Sequence, residues 1–261
     1  MPKRDSLGDR MKNFYESRSE TYLTRRQPVV IRCDGRAFHQ FTKRFTKPYD
    51  EVFHGAMNRT MQALCKNIQG CKFGYTQSDE ISLLLTDFDT LETSAFFDYR
   101  VQKVCSIAAS MATMYFNRFF AEEVEEWVSS EWSSSLDDAD EELFDAYNMA
   151  VETGAMFDAR CFNVPKEEVA NYFIWRQQDA TRNAIQMLGQ CYFSHKELNK
   201  KSCSDIQEML FSEYRVNFND KPVVFKRGVC ARKQDGWNLD LNSPIFTQDR
   251  AYIEKLLEVA E

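Results

Sequence analysis

The chain has 261 residues and a formal net charge of −7; 43% of its residues are apolar, 14% aromatic, and 21 are Phe. So much apolar side chain excludes a mostly disordered polymer, and the length suits one large domain or one domain with an appendage. The longest apolar stretch, Val104 to Phe116, is too short for a membrane span, and no apolar run follows Met1-Pro2-Lys3-Arg4-Asp5, so a soluble, cytoplasmic protein is expected.

In chain order, Ser6 to about Thr21 reads as a polar helix capped near Asp5 or Ser6. Pro28 to Asp34 is a buried strand ending at Gly35, and Tyr49 to about Asn67 has helical spacing through Val52, Met57, Met61 and Leu64. A hairpin follows, with arms Lys72–Thr76 and Ile81–Leu85 and a bend at Gln77-Ser78-Asp79-Glu80. A long apolar helix is expected over about Ser94–Phe120, then a strand over Phe157–Phe162. Pro165 suits a helix N-terminus, with the helix running to about Leu188. Residues 202–212 form a short helix in which Ser204 and Gln207 fit a capping box. Val223-Val224-Phe225 and Val229-Cys230-Ala231 suggest a C-terminal hairpin through Lys226-Arg227-Gly228, and Thr247 suits the cap of a last helix.

The order β-α-β-β-α-β is the α+β, ferredoxin-like plan shared by polymerase palms: an antiparallel sheet with helices on one face. It gives a palm-like domain over 1–165 and a C-terminal helical and hairpin extension over 166–261. RNA-binding modules, nucleotide cyclases and polymerases all use this plan, so the fold does not choose the function.

The eight cysteines contain no C-x-x-C pair and there are only three His, which argues against a zinc cluster. Residues 122–145 carry eleven acidic side chains and no Lys or Arg; without them the chain holds 29 acids against 33 bases, a net of +4. The segment is either a helical surface insertion or partly disordered. Basic groups at Lys43/Arg44/Lys47, Lys196/Lys200/Lys201 and Lys226/Arg227/Arg232/Lys233 are either phosphate-binding or ordinary solvated surface.

Two carboxylate positions carry the chemistry. Asp34 ends the first strand, and Asp79 and Glu80 sit on the hairpin bend, which the β-α-β-β plan brings to the same sheet edge. Carboxylates gathered there repel unless cations hold them, and Mg²⁺ prefers one or two carboxylates plus phosphate oxygens. Gly35 leaves the backbone free for close approach. Either motif alone is an ordinary polar turn. Arg100 and Lys103 are spaced i,i+3, as a triphosphate clamp or as the solvated side of a helix.

These residues resemble a known family. Arg32-Cys33-Asp34-Gly35-Arg36-Ala37-Phe38-His39-Gln40-Phe41 is similar to the R-x-D-G-R-x-F-H-x-F signature of the tRNA-histidine guanylyltransferase family, and Tyr75 to Ser82 to its Y-x-Q-S-D-E-x-S signature. Phe157-Asp158-Ala159-Arg160, Trp175-Arg176-Gln177-Gln178-Asp179, Phe211–Tyr214 and Lys226-Arg227-Gly228 resemble later elements, in family order. The resemblance implies two Mg²⁺ ions held by Asp34, Asp79 and the Gly35 carbonyl, with Glu80 and Lys47 also catalytic. It implies nucleotide contacts at Arg36, Phe38, His39, Ser78, Arg100 and Lys103. ATP activates a 5′-monophosphorylated tRNA, and GTP or another nucleoside triphosphate is then added. Homotetramers are implied as well.

The chain departs from the pattern where histidine-tRNA enzymes carry H-I-N-N: it has Thr181-Arg182-Asn183-Ala184, keeping only Asn183. That favours the branch that repairs truncated tRNA 5′ ends, with Asn183, Lys226 and Arg227 as RNA contacts. The rivals are histidine-tRNA guanylyltransferase proper, a nucleotide cyclase, and a non-catalytic RNA-binding sheet.

Overall fold

The computed structural model describes residues 6–131 and 138–258. Its centre is β1 (Val29–Gly35), whose Val29, Val30 and Ile31 are all fully buried. A strand buried on successive residues has both faces covered. β3 (Glu80–Leu85) is likewise buried throughout. With β2 (Cys71–Gln77), β4 (Phe157–Asn163), β5 (Val229–Lys233) and β6 (Trp237–Asp240) they form a six-stranded sheet in the order β4-β1-β3-β2-β5-β6, every pairing antiparallel. The first four strands follow the expected palm order.

Before the sheet, α1 (Ser6–Phe14) and a single 3₁₀ turn replace the longer expected helix; the proposed cap Asp5 lies outside the described residues. One sheet face carries α3 (Glu51–Asn67) and α4 (Val101–Glu131), packed on Val29, Ile31, Cys33, Ile81, Leu83 and Leu85. The other carries α6 (Val169–Gln190), whose Val169, Tyr172 and Phe173 pack on Val30, Leu84, Phe73 and Tyr75. Helices thus cover both faces, not one, because Val29, Ile31, Leu83 and Leu85 point to one side, Val30 and Leu84 to the other, and the polar Ser82 and Glu80 on that second side find partners on α6. The second half of α6 builds a separate small core with α7 (His195–Leu198) and α8 (Cys203–Tyr214).

The acidic segment is helical where it is described. Glu122 to Glu131 continue α4, and α5 (Asp138–Thr153) returns toward β4. Arg59 of α3 pairs with Glu122 and, at 3.0 Å, with Glu123, which fastens this arm to the core. The serines at 133–135 lie outside the described residues.

Three local expectations are corrected. Val223–Arg227 is a short helix, α9, not a strand; Pro222 precedes it, and Gly228 (φ 73°) ends it where a side chain would strike the Thr76 carbonyl. The C-terminal hairpin is β5–β6, turning at Gln234-Asp235-Gly236. The α8 capping box uses Ser202 and Asp205, two residues before Ser204 and Gln207, because Ser202 is the last extended residue. The last helix, α10 (Ala251–Glu254), starts beyond Thr247, which lies in a turn.

Candidate active site

The end of β1 and the β2–β3 turn meet at one edge of the sheet. The Gly35 N–H donates to the Asp79 carbonyl at 3.0 Å, and Asp34 lies opposite Glu80 in the ladder. A side chain on Gly35 would collide with the Phe38 ring. Ser78 takes φ 50°, a left-handed conformation that costs a non-glycine residue roughly 1 kcal/mol and turns the chain sharply into Asp79. Burial, then the negative charge of Asp34, push the Asp79 carboxyl above its usual range, while its own backbone amide, Ser78 and His39 pull it down. The Asp34 charge thus sits close enough to oppose the ionisation of Asp79.

Beside them opens a cleft of about 310 Å³ between the loop after β1 and the first turns of α3. Gly35, Phe38, His39, Lys47, Ser78 and Asp79 line it. The one-turn helix α2 (Phe38–Phe41) follows Ala37, which is left-handed. Phe38 is 4% exposed and its ring is a hub of the aromatic core, 5.1 Å from Phe41 and from Phe157, so it forms the cleft's floor. The Lys47 ammonium donates to the Thr42 carbonyl at 2.8 Å, and burial lowers its pKa. Asp50 caps α3 by accepting from the Phe53 N–H at 2.8 Å, and accepts also from Thr46 N–H and the Tyr147 hydroxyl. This fixes the cleft loop to α3 and α5.

Other expected residues fall elsewhere. Glu80 is turned toward α6, where Arg176 (3.2 Å) and Arg32 (3.9 Å) pair with it and the Ser82 hydroxyl donates at 3.3 Å. Burial raises its pKa while the two arginines lower it. Arg36 opens onto a neighbouring cleft. Asn183 lines a smaller hollow between α3, α6 and α9 that shares Pro48, His54, Ser78 and Met187 with the first. The Lys226 side chain donates to the Asn219 carbonyl, and the Arg227 carbonyl accepts from the Tyr75 hydroxyl at 2.7 Å. Arg100 and Lys103 stand away from that edge: Arg100 pairs with Glu20 at 2.8 Å, Lys103 lies over the Phe97 ring, and the adjacent Val101 is level with Cys161, opposite Ile31 in mid-strand. Asp158 lies opposite Asp34 across β1–β4 but is held by Arg160 at 2.8 Å.

Sequence reasoning missed His54 and Met187 in the cleft wall. His54 is four residues after Asp50, so helical spacing places it on the cleft side; Met187 reaches in from α6, which no local pattern reveals. The His54 ring stacks on Tyr49 (4.1 Å, 3°), and burial, with nearby Lys47 adding, lowers its pKa to about 3. Unfolded, it titrates near 6.5. Between these values the unfolded chain binds the extra proton, so stability is full above pH 6.5 and falls as pH drops toward 3, by up to about 1 kcal/mol per pH unit. Urea midpoints measured from pH 7 to 4.5 should therefore fall less steeply in His54→Leu than in the wild type; parallel profiles would contradict this.

The fold agrees with the comparisons. The family model described as tRNAHis guanylyltransferase matches residues 8–165. A bacterial tRNAHis guanylyltransferase-like protein solved in complex with ATP is 40% identical, with 97% of this chain and 99% of that chain covered and a TM-score of 0.82. A bacterial protein of the same description, in complex with GTP, gives 37%, 97%, 99% and 0.76. The tRNAHis guanylyltransferase of Saccharomyces cerevisiae is 30% identical over 216 residues, 77% of this chain and 80% of its own length. No helix among the described residues is long and apolar enough to cross a membrane. The chain belongs to the tRNAHis guanylyltransferase family and is a nucleotidyltransferase.

Proposed function

We propose that this enzyme adds nucleotides in the 3′-to-5′ direction to the 5′ end of tRNA, directed by the opposing strand, and so repairs truncated ends. Position 181 carries the choice of branch. Histidine-tRNA enzymes have His there; in this chain the Thr181 hydroxyl donates to the Lys226 carbonyl at 2.9 Å, so the residue fastens α9 to α6. Selection by base pairing needs no such reader, only groups that hold backbone and shape. Asn183, Lys226 and Arg227 are the RNA contacts in this reading. The palm, 1–165, supplies the carboxylates, and the extension, 166–261, supplies these groups.

The donor set fits Mg²⁺. Asp34, Asp79 and the Gly35 carbonyl offer only hard oxygens, and a cation would relieve the opposition of the Asp34 charge to ionised Asp79. Two bound ions supply charge neutralisation and in-line orientation of the phosphates. The complexes of relatives with ATP and GTP support a nucleotide in the cleft, whose volume lies at the lower end of the usual range for small-molecule sites. Lys47, His39 and Ser78 face that nucleotide, over the Phe38 floor. In the activation stage an oxygen of the RNA 5′-monophosphate attacks the α-phosphorus of ATP and pyrophosphate leaves. In the addition stage the 3′-hydroxyl of the incoming triphosphate attacks the 5′-phosphorus and AMP leaves. Arg36 borders the same edge, and Arg100 with Lys103 form a second phosphate-binding place. The working form is a homotetramer.

Lys47→Ala should slow adenylylation of 5′-monophosphate RNA more than addition to RNA already carrying a 5′-triphosphate, measured in single turnovers. Equal loss on both would contradict a step-specific role. The branch is tested with a 5′-truncated, 5′-phosphorylated non-histidine tRNA, ATP, Mg²⁺ and labelled nucleotides: extension is expected, and activity confined to full-length histidine tRNA would contradict it.

A further inference from the structure

On the far side of α2 from the nucleotide cleft lies a second, larger one of about 480 Å³, between α2 with its following loop and the C-terminal half of α5. Its walls are apolar: Phe41, Ala146, Ala150 and Ala155, with Met149 and Met156 left 58% and 60% exposed. Its rim is cationic, formed by Arg36, Lys43 and Arg44. Among the described residues none of these three side chains has a carboxylate partner. The two clefts share Ala37, and the Arg36 N–H donates to the Met156 carbonyl at 2.8 Å, so the second cleft begins two residues from Asp34.

Exposed thioethers beside unpaired cations suit a flat, polarizable ligand with a negative backbone: an unpaired nucleic-acid strand, bases on the methionines and phosphates on the rim. Resting on the repair reading, a recessed 5′ end held at Asp34 and Asp79 leaves the opposing strand projecting past it as a 3′ overhang, at the mouth of this cleft. We propose that the cleft binds this single-stranded 3′ overhang and thereby anchors the template beyond the nucleotide being copied. The acids on the distal half of the α4–α5 arm repel phosphates, so the strand lies toward Lys43 and Arg44.

The test uses the full chain and two hairpin RNAs with the same recessed 5′ end, one with a one-nucleotide 3′ overhang and one with five, binding being read by fluorescence anisotropy. Contact of a base with a methionine sulfur is worth about 0.3–1.5 kcal/mol, so with both Met149 and Met156 engaged the longer overhang should bind at least about threefold more tightly. Met149→Glu and the double variant Lys43→Ala/Arg44→Ala should each abolish that advantage and leave the one-nucleotide RNA within about twofold; Met149→Ser checks that folding is not the cause. Equal binding of both RNAs by the wild type, or equal weakening of both by the variants, overturns the proposal. So does retention of the overhang advantage in Met149→Glu with a changed mass in light scattering, which would make the cleft an interface between copies of the chain. Overhang-dependent binding without any nucleotide addition would instead refute the repair reading and leave the cleft assignment standing.

Discussion

Asp34→Ala and Asp79→Ala are each expected to cut nucleotide addition by at least about 10³-fold, roughly 4 kcal/mol of transition-state stabilisation, while the protein stays folded. The two acids end on a strand tip and a turn, not in the core, and in the free enzyme the Asp34 charge opposes the ionisation of Asp79. Removing one relieves that opposition, so the unfolding midpoint should hold or rise. Bound Mg²⁺ stabilises the native state by mass action, so a thermal shift on adding Mg²⁺ should be present in the wild type and reduced in both variants. Near-wild-type rates in either variant would contradict the metal assignment.

Glu80→Gln is expected to fail differently. Glu80 is 8% exposed and neutralises Arg32 and Arg176 between β1, β3 and α6. Losing Glu80 leaves the buried Arg32 without its carboxylate, while Arg176 keeps Asp179 at 2.5 Å, so the cost should fall short of that of a fully broken buried pair, at roughly 1–3 kcal/mol. Urea unfolding should show that loss. At a temperature where the variant remains folded, its rate should stay within about tenfold of wild type. Unchanged stability with a 10³-fold rate loss would instead make Glu80 a third carboxylate of the catalytic centre.

That contrast shows where sequence stops being legible. The carboxylates of Asp34 and Asp79 could be placed at one edge because strand length, turn position and the β-α-β-β order are local patterns with one common solution. The side on which Glu80 lies could not, since its partner Arg176 is 96 residues away on a helix of the extension. Val223–Phe225 has strand-like composition, yet Gly228 and the packing of α9 against α6 make it helical; tertiary contacts outweigh a propensity of well under 1 kcal/mol per residue. The i,i+3 spacing of Arg100 and Lys103 suggests one helix face, but α4 begins at Val101 and Arg100 precedes it in extended backbone bridged to Tyr22, so only Lys103 lies on the helix. The acidic arm was legible as a composition anomaly, while its docking through Arg59 needed the fold.

Template dependence is the central claim. Its most direct measurement is addition to a 5′-truncated non-histidine tRNA in four versions that differ only in the base opposite the missing nucleotide. The account predicts that the nucleotide added changes with that base and complements it in all four. Guanosine added whatever the opposing base would contradict it and make the enzyme a dedicated guanylyltransferase.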